Sequence, residues 1–342
     1  MGTSSSTLQN MEIARFMDNN EKFKAFVMES NTKKGIKIID KSFLDDGDVF
    51  VKISFSSFNY KDGLAISGKT PILRKFPMIP GVDFCGKVIN SSNKSFKKGD
   101  KVILNGWGVG ENHTGGFSQF ARVKSKWLIK LPKKISEKQS MIIGSAGYTA
   151  ALCAILINEN VKKKDGKILV TGASGGVGSI AINLLSNLGF QTVALSAKNK
   201  SYLLKLGAVE VIDRKDYKIA KKPLEKQKWA GCIDTVGGEI LSSVISEIKY
   251  NGIIASTGLA SSHLLHTTVY PFILRNITLA GVDCVYADKS KRIKAWNLLE
   301  RKLDFSKLDF IKSEKNLSDL KTLSAKILQG KIKGRTLIKI GT

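Results

Sequence analysis

Two patterns of hydrophobic and polar positions divide the chain near residue 145. From Phe23 onward, short alternating runs such as KAFVME, VFVKISF and DFCGKVI are separated by glycine and proline, which predicts strands without a long helix. Near Ser145 the run AGYTAALCAILINE starts a helical period, and strands and helices then alternate as far as GVD. The sequence therefore predicts an α/β protein, with a β-rich domain followed by a doubly wound parallel sheet.

The same patterns predict the domain boundaries. Residues 1–22, which open with MGTSSSTLQN, are predicted to be a flexible polar tail or a cloning remnant. The β-rich domain covers residues 23–144 and the parallel sheet covers residues 145–284. Two amphipathic stretches and the final strand RTLIKI fill residues 285–342, which we expect to return to the first domain.

A glycine cluster joins an apolar strand to a helical pattern in ILVTGASGGVG, residues 168–178. Gly175 lets the backbone come close to a phosphate, and Gly178 lets the helix pack tightly on the strand. The helix would direct its unpaired N–H groups and the positive end of its dipole at the anion. We therefore predict a dinucleotide site, and the alternative is an ordinary strand-to-helix turn. The predicted loop consists of Ala173, which replaces the usual first glycine, Ser174, Gly175, Gly176, Val177 and Gly178.

The end of the next strand, QTVALS, indicates which dinucleotide binds. NAD enzymes commonly have an Asp or Glu here, whose carboxylate bonds the ribose 2′-hydroxyl and would repel a 2′-phosphate. This chain has Ser196, Ala197 and Lys198 instead. A hydroxyl and an ammonium suit a phosphorylated ribose, which favours NADPH, although Lys198 could equally be a solvated surface lysine.

The charge and the distribution of basic residues indicate which kind of partner the protein binds. The net charge of +26 over 342 residues would ordinarily favour nucleic acid or an anionic membrane. The lysines are scattered and the aromatic residues are not interleaved with basic ones, so we expect a small polyanionic substrate and neither of those partners. The four cysteines form no CxxC pair, and we expect neither a membrane span nor a signal peptide. A cytoplasmic protein with reduced thiols is therefore expected.

Several segments, together with the glycine cluster, resemble the zinc-free medium-chain dehydrogenase/reductase superfamily, and within it the acryloyl-CoA reductase group long labelled as quinone oxidoreductases. The similarity runs from about Phe23 to Ile340. It implies a GroES-like catalytic domain joined to a Rossmann domain, with NADPH bound between them, and a homodimer. The segments are NYKDGLAISGK (59–69), FPMIPGVDFCGKV (76–88), GWGVGENHTGGFSQFARVK (106–124), KPLEKQKWAGCIDTVG (222–237) and PFILRN (271–276).

The resemblance implies that the protein binds no metal. In the zinc alcohol dehydrogenases of the superfamily, a cysteine and the histidine of a GHE motif hold the metal, and the corresponding positions here are Asn59 and Val82. Neither an amide nor an apolar side chain replaces those ligands. The region after Asp100 also lacks the clustered cysteines of the structural zinc lobe.

The implied reaction is the reduction of an activated alkene, which needs less charge stabilisation from the protein than ketone reduction without a Lewis acid. We expect hydride from NADPH to reach C3 of acryloyl-CoA and a proton to reach C2, which gives propanoyl-CoA. One alternative is a quinone or enone reductase on the same scaffold. A non-enzymatic alternative is an NADPH-binding regulatory protein with an RNA partner, which only the net charge supports.

The resemblance also assigns candidate site residues. Tyr60 is the leading candidate for contact with the nicotinamide and for proton donation, and the alternative is an aromatic residue that fills the domain interface. Asn59 either bonds the thioester oxygen or holds its loop. Further positions near the cofactor in the family are Leu259, Ile273, Cys284, where a serine is expected, and Arg335. For Arg335 the alternative to a phosphate contact is a salt bridge within the fold.

Two further segments are candidates for substrate contact. The glycine-rich segment 107–116, with Trp107 and Asn112, forms either a loop around the substrate mouth or a rigid structural turn. Basic residues between the motifs could receive the phosphates of coenzyme A, or they are ordinary exposed residues. They are Lys61, Lys69, Arg74 and Lys75.

Overall fold

Antiparallel strands with alternating burial build the first of two units. In β3 (Val49–Phe58) the side chains of Val49, Val51 and Ile53 are buried and alternate with more exposed ones, as expected for a sheet with one face on the core. The computed structural model describes residues 22–197 and 199–341. The first unit contains the described residues up to Gly144, Ser313–Lys331 and the residues from Thr336.

The strands of this unit form two sheets. A small antiparallel sheet pairs β1 (Phe23–Met28) with β2 (Lys34–Ile39). The larger sheet has the order β14-β15-β3-β4-β5-β7, and β6 also pairs with β3. Its other strands are β4 (Asp83–Ser91), β5 (Lys101–Asn105), β6 (Phe120–Val123), β7 (Ile129–Lys130), β14 (Lys312–Asn316) and β15 (Arg335–Lys339).

Two helices of this unit pack closely on each other. Helix α1 (Tyr60–Ser67) ends at Gly68, whose φ of 72° is the left-handed conformation that commonly ends helices. Helix α9 (Leu320–Leu328) lies against it, and the Ser324 hydroxyl donates a hydrogen bond of 2.8 Å to the Gly63 carbonyl. A side chain at Gly63 would collide with Ile327, so the glycine sets how closely the two helices approach.

The second unit, Ser145–Lys312 and Ile332–Arg335, contains a six-stranded sheet whose neighbouring strands all run parallel. Its order is β10-β9-β8-β11-β12-β13, which is the 3-2-1-4-5-6 order of a doubly wound dinucleotide-binding fold. The fold predicted from the alternation of strands and helices is therefore confirmed. The strands are β8 (Ile168–Thr171), β9 (Thr192–Ser196), β10 (Glu210–Asp213), β11 (Trp229–Asp234), β12 (Ile248–Ser256) and β13 (Thr278–Gly281).

Helices cover this sheet and bury its apolar strands. Every residue of β8 and β9 is buried, as expected for central strands of a parallel sheet. The helices are α3 (Gly176–Asn187), α4 (Lys200–Leu206), α5 (Gly238–Glu247), α6 (Tyr270–Arg275), α7 (Lys289–Lys302) and α8 (Leu308–Ile311). Short 3₁₀ turns occur at Lys41–Phe43, Ser125–Trp127, Lys163–Asp165, Phe305–Lys307 and Leu317–Asp319.

Helix α2 (Glu137–Asn160) is long and apolar enough to span a membrane by length and composition, although we predicted no such span from the sequence. It is the only such helix among residues 22–197 and 199–341, and 78% of its apolar window is buried in the protein. Gly144 interrupts it with φ 53° and ψ −162°. The uninterrupted part, residues 145–160, is about 24 Å long, which is less than the roughly 30 Å of a hydrocarbon core.

The predicted domain boundaries stay predictions, and they differ from the limits of the two compact units at one place. Residues 285–312, which we assigned to the C-terminal return, cluster with the second unit, and the chain rejoins the first unit at Ser313. The tail predicted for residues 1–22 lies outside the described residues except for Lys22. The four cysteines form no disulfide, and Cys85, Cys153 and Cys232 are buried.

Candidate active site

The glycine-rich loop follows β8 and leads directly into α3. A Cβ atom on Gly178 would lie 2.6 Å from the Ala173 Cα atom, so only glycine lets the helix pack this closely on the strand end. A Cβ atom on Gly175 would meet only the Gly172 carbonyl oxygen, at 3.2 Å. The backbone at Gly175 therefore has open space in front of it, which a phosphate needs if it is to approach the loop.

The loop lies where a parallel sheet of this order binds its ligand. Strand β8 has β9 on one side and β11 on the other, so the connections leave it in opposite directions and open a crevice at its carboxyl end. The two central strands are joined there by a hydrogen bond of 2.6 Å from Thr171 to the buried carboxylate of Asp234. Gly175 caps α3, whose first turn contains no acidic residue, so the helix dipole favours an anion.

Ser196, predicted as a polar residue at the end of β9, contacts the glycine-rich loop. The Ser196 hydroxyl donates a hydrogen bond of 2.9 Å to Ser174, and Ser196 itself is almost fully buried. Ala197, the next residue, is exposed. Lys198 lies outside the described residues, so its proposed contact with a 2′-phosphate stays a prediction.

The segment Ile332–Arg335 brings positive charge to the same loop. The Gly334 backbone donates a hydrogen bond of 3.0 Å to the Ser174 carbonyl. Arg335 is 2% exposed, and a Cβ atom on Gly176 would lie 3.0 Å from its Nη1 atom. Lys333 lies 4.7 Å from the centre of the Tyr202 ring. Arg335 thus lies beside the loop, where a guanidinium favours a phosphorylated ligand, and its contact with a cofactor stays a prediction.

A buried polar network in the first unit is centred on Asn59, the residue before α1. The Asn59 backbone donates a hydrogen bond of 2.8 Å to Asp62. Its side-chain amide donates to Asp62 at 3.2 Å and to Asp83 at 3.1 Å. Asp83 also accepts bonds from the backbone and the hydroxyl of Ser57, at 3.0 and 2.9 Å. One carboxamide therefore bridges two buried carboxylates.

This network favours the second of the two roles considered for Asn59. Its amide N–H groups point at the carboxylates and its side chain is 9% exposed, so it holds the start of α1 in place. Burial raises the pKa of Asp62 to about 7, and the negative charge of Asp83 acts in the same direction. Hydrogen bonds from the Asn59 and Val82 backbones lower it without cancelling the effect.

The residues at the former metal positions do not fit a zinc ion. The Val82 side chain is apolar, and Asn59 directs donors rather than lone pairs at its neighbours. Among the described residues, no group of three or more His, Cys, Asp or Glu side chains is placed to hold a metal. The two ring nitrogens of His113 lie 3.2 and 3.1 Å from the Thr114 and Asp46 carbonyl oxygens, and its N–H donates to one of them, which is a structural role.

The glycine-rich segment 107–116 packs directly on the strand that carries Asp83. Two of its N–H groups donate to the carbonyls of Ile79 and Gly81, at 2.7 and 2.8 Å. Trp107 is half-buried with a φ of 59°, and Asn112 is exposed. These backbone contacts favour the rigid-turn alternative for the segment, and the substrate contacts of Trp107 and Asn112 stay predictions.

Comparison with known proteins identifies the family. The family model for an alcohol dehydrogenase GroES-like domain matches residues 45–133, and that for a zinc-binding dehydrogenase matches residues 176–301. The chain is 46% identical to the probable acrylyl-CoA reductase AcuI of Escherichia coli, over 91% of this chain and 97% of that protein. The chain belongs to the medium-chain dehydrogenase/reductase superfamily.

Two further members of this superfamily are similar to the chain over nearly its whole length. The acrylyl-CoA reductase AcuI of Ruegeria pomeroyi is 40% identical over 93% of this chain and 99% of that protein. The crystal structure of the yhdH oxidoreductase from Salmonella enterica in complex with NADP has 44% identity and a TM-score of 0.91, and the match covers 93% of this chain and 100% of that one.

In this medium-chain dehydrogenase/reductase, the residues predicted beside the nicotinamide come from both units. Tyr60 is the first residue of α1 and is 39% exposed. In the second unit, Leu259 follows β12 and Ile273 lies on α6, and they are 58% and 68% exposed. Cys284 follows β13 and is half-buried, and its carbonyl accepts a bond from Arg292. Their contacts with a cofactor stay predictions.

The basic residues considered for coenzyme A differ in their surroundings. Lys61 pairs with Glu111 at 2.6 Å, and Lys75 pairs with Asp45. Arg74 has an exposed side chain, and its backbone N–H donates a hydrogen bond of 2.8 Å to the Glu111 carbonyl. Arg74 is therefore freer to meet a substrate than Lys61 or Lys75.

Sequence reasoning missed two polar residues near these sites. Asp83 lies directly after the compared metal position, but only the tertiary fold shows that it shares a carboxamide with Asp62. Tyr148 has a buried hydroxyl with no hydrogen-bond partner among the described residues, and the Arg292 guanidinium lies 5.3 Å from its ring centre. Its apolar surroundings in AGYTAALCA gave no signal beyond a core position.

Substituting the two glycines should separate binding from folding. Gly175→Ala should change the melting temperature little, because its Cβ meets only the Gly172 carbonyl oxygen, and should weaken NADPH binding about tenfold, because the same Cβ enters the space predicted for phosphate. Gly178→Ala should destabilise the protein by roughly 1–3 kcal/mol, because its Cβ meets backbone atoms. Thermal unfolding and calorimetric titration measure both. Wild-type NADPH affinity in Gly175→Ala would contradict the proposed phosphate position.

The raised pKa of Asp62 predicts a pH dependence of stability. Between about pH 4 and pH 7 the folded protein keeps a proton on Asp62 that the unfolded chain releases, so this carboxyl stabilises the fold at low pH. The contribution, on the order of a few kcal/mol, is lost as the pH rises through about 7. Asp83→Asn should reduce this loss, because the neighbouring charge is removed.

Urea unfolding at pH 5 and pH 8 measures this effect as the difference in the free energy of unfolding. Asp46→Asn is the matched control, since the Asp46 side chain is 99% exposed in a surface ion pair with Arg122. If wild type and Asp83→Asn lost the same free energy between the two pH values, the coupling of the two carboxylates would be wrong.

Proposed function

We propose that this protein reduces the carbon–carbon double bond of acryloyl-CoA to propanoyl-CoA with NADPH. The observation that carries the proposal is the identity of 46% and 40%, over more than nine-tenths of the chain, to two proteins named as acrylyl-CoA reductases. The described glycine loop and its neighbouring cations supply the site that such a reaction needs for its cofactor.

NADPH, when bound, supplies the hydride that C3 of the acryloyl group accepts. The N-terminus of α3 and the open backbone at Gly175 would hold the pyrophosphate, and Arg335 would add positive charge beside it. Ser196 and Lys198 would face the ribose 2′-phosphate, for which the cofactor of the Salmonella enterica relative is a precedent. This chain therefore binds and orients the cofactor mainly through backbone N–H groups.

Protonation of C2 completes the reduction. As the hydride bonds to C3, the electron pair of the double bond moves toward the thioester and forms an enolate, which takes one proton at C2. Tyr60 begins α1 with its side chain 39% exposed, so its hydroxyl is available to donate that proton. Asn59 fixes the backbone that presents Tyr60 through its bonds to Asp62 and Asp83.

An assay of NADPH oxidation with acryloyl-CoA, crotonyl-CoA and a 1,2-quinone tests this function. We expect the highest kcat/KM for acryloyl-CoA. Tyr60→Phe should lower kcat about a hundredfold with little change in the affinity for NADPH, because one general acid contributes roughly 10²–10⁴-fold. A preference for the quinone would refute the substrate, and an unchanged kcat in Tyr60→Phe would remove Tyr60 as the proton donor.

The proposal includes a homodimer joined at the β13 edge of the parallel sheet. This edge strand has no charged residue, and large apolar side chains near it are exposed, including Val269 at 66% and Leu274 at 57%. Val269→Glu should shift the protein toward monomers in light scattering. Val209→Glu is the control, since Val209 is 55% exposed beside the opposite edge, and an equal effect of both would refute this interface.

We place the protein in the cytoplasm. The thiols of Cys85, Cys153 and Cys232 are free and buried, which suits a reducing compartment. Cell fractionation tests this location, and recovery of the protein with membranes after a high-salt wash would contradict it.

A further inference from the structure

A cavity lies at the carboxyl end of α1, where this helix meets α9. Its volume is about 440 Å³. We call it the lysine pocket, because Lys34 from β2, Lys69 from the loop after α1, and Lys321 from α9 all line it. The helix contact at Gly63, with the bond from Ser324, fixes the two helices that form its walls. The three lysines are therefore brought together by rigid elements from distant parts of the sequence.

The pocket has an excess of positive charge. No acidic residue lines it, and within the described part of the chain none of its three lysines forms an ion pair. Lysines elsewhere in the same unit do have acidic partners, for example Lys61 and Lys101. Collecting ammonium groups without an anion costs electrostatic energy, which a bound anion would recover.

The contacts of Lys34 support an anion-binding role for the pocket. Its ammonium donates to the Ile66 and Asn31 carbonyls, which anchors it at the end of α1. Burial lowers the pKa of Lys34, and the positive charge of Lys321 lowers it further, so the two ammonium groups are close enough to repel each other. A ligand that accepts hydrogen bonds from both would relieve this repulsion.

The remaining lining residues indicate an anion that carries an organic group. Ala325 and Leu328 give the pocket an apolar wall, and Gln329 adds an amide. A bare ion would leave this apolar surface without a partner, whereas a phosphorylated nucleotide has both charge and a flat apolar ring. Lysine is a common phosphate ligand because its ammonium is a compact charge with three donors.

We propose that the lysine pocket binds the phosphates at the nucleotide end of the coenzyme A thioester. This inference rests on the proposed function. Helix α1 connects the two ends of such a substrate: Tyr60 begins the helix and Ser67, which lines the pocket, ends it. The distance along the axis is about 10 Å. The pantetheine arm of coenzyme A is long enough to cover it.

The decisive comparison is between acryloyl-CoA and acryloyl-pantetheine, which lacks the nucleotide. The double variant Lys69→Gln/Lys321→Gln should raise KM for acryloyl-CoA about tenfold with kcat unchanged, because it loses two charge-assisted contacts. The KM for acryloyl-pantetheine should stay the same. Lys326→Gln, an exposed change on the same helix outside the pocket, is the matched control and should alter neither KM.

Equal effects of the double variant on both thioesters, or no effect on either, would overturn the inference while leaving the proposed function intact. If the wild type reduced neither thioester, the proposed function would fail, and the pocket would be tested alone. Calorimetry with adenosine 3′,5′-bisphosphate, on protein saturated with NADPH, should then show binding that the double variant weakens. No binding, or binding no tighter than that of inorganic phosphate, would overturn the nucleotide assignment.

Discussion

Direct contact between backbone atoms at the junction of β8 and α3 is the constraint on which the dinucleotide site depends. Gly178 has no room for a side chain beside Ala173, and Gly172 adopts a φ of 56° with Thr235, the residue after the neighbouring strand β11, packed on it. The helix therefore starts immediately beside the sheet, with its positive end over the crevice between β8 and β11. Arg335 adds its charge to a geometry that the glycines have already fixed.

In the first unit, the side-chain amide of Asn59 bridges two buried carboxylates. Two buried carboxylates, Asp62 and Asp83, lie close enough to raise a pKa, a situation that a metal ion or a basic side chain often resolves. Here Asn59 donates a hydrogen bond to each, and burial together with the charge of Asp83 raises the pKa of Asp62 to about 7, which favours its neutral form. The arrangement holds Tyr60 at the start of α1.

Most of the fold could be predicted because buried strands and amphipathic helices leave strong local patterns. β8 and β9 are continuous apolar runs between turn residues, and both were found. β2 was not, because its apolar residues Ile36 and Ile38 are 45% and 58% exposed and follow no core pattern. β14, Lys312–Asn316, was not found either, because its polar sequence KSEKN has no apolar alternation.

The candidate site was predictable only where a motif is contiguous in sequence. The glycine loop is such a motif, and its residues lie together as expected. The bridge from Asn59 to Asp83 spans 24 residues and the lysine pocket joins β2 to α9, so both depend on tertiary packing that no local pattern encodes. The helical run predicted from Ser145 starts directly after the break at Gly144, but the helical residues 137–143 before that break were missed.

The two edges of the parallel sheet differ in a way that limits how far copies of the protein can add to one another. β10 carries Glu210 and Asp213 at its ends, and Lys167 is paired with Glu210, so a second strand docking there would have to desolvate these charges. β13 presents Thr, Leu, Ala and Gly. If two copies paired through this uncharged edge about a twofold axis, both edges would be covered. Such an assembly would stop at two subunits instead of growing into a fibre.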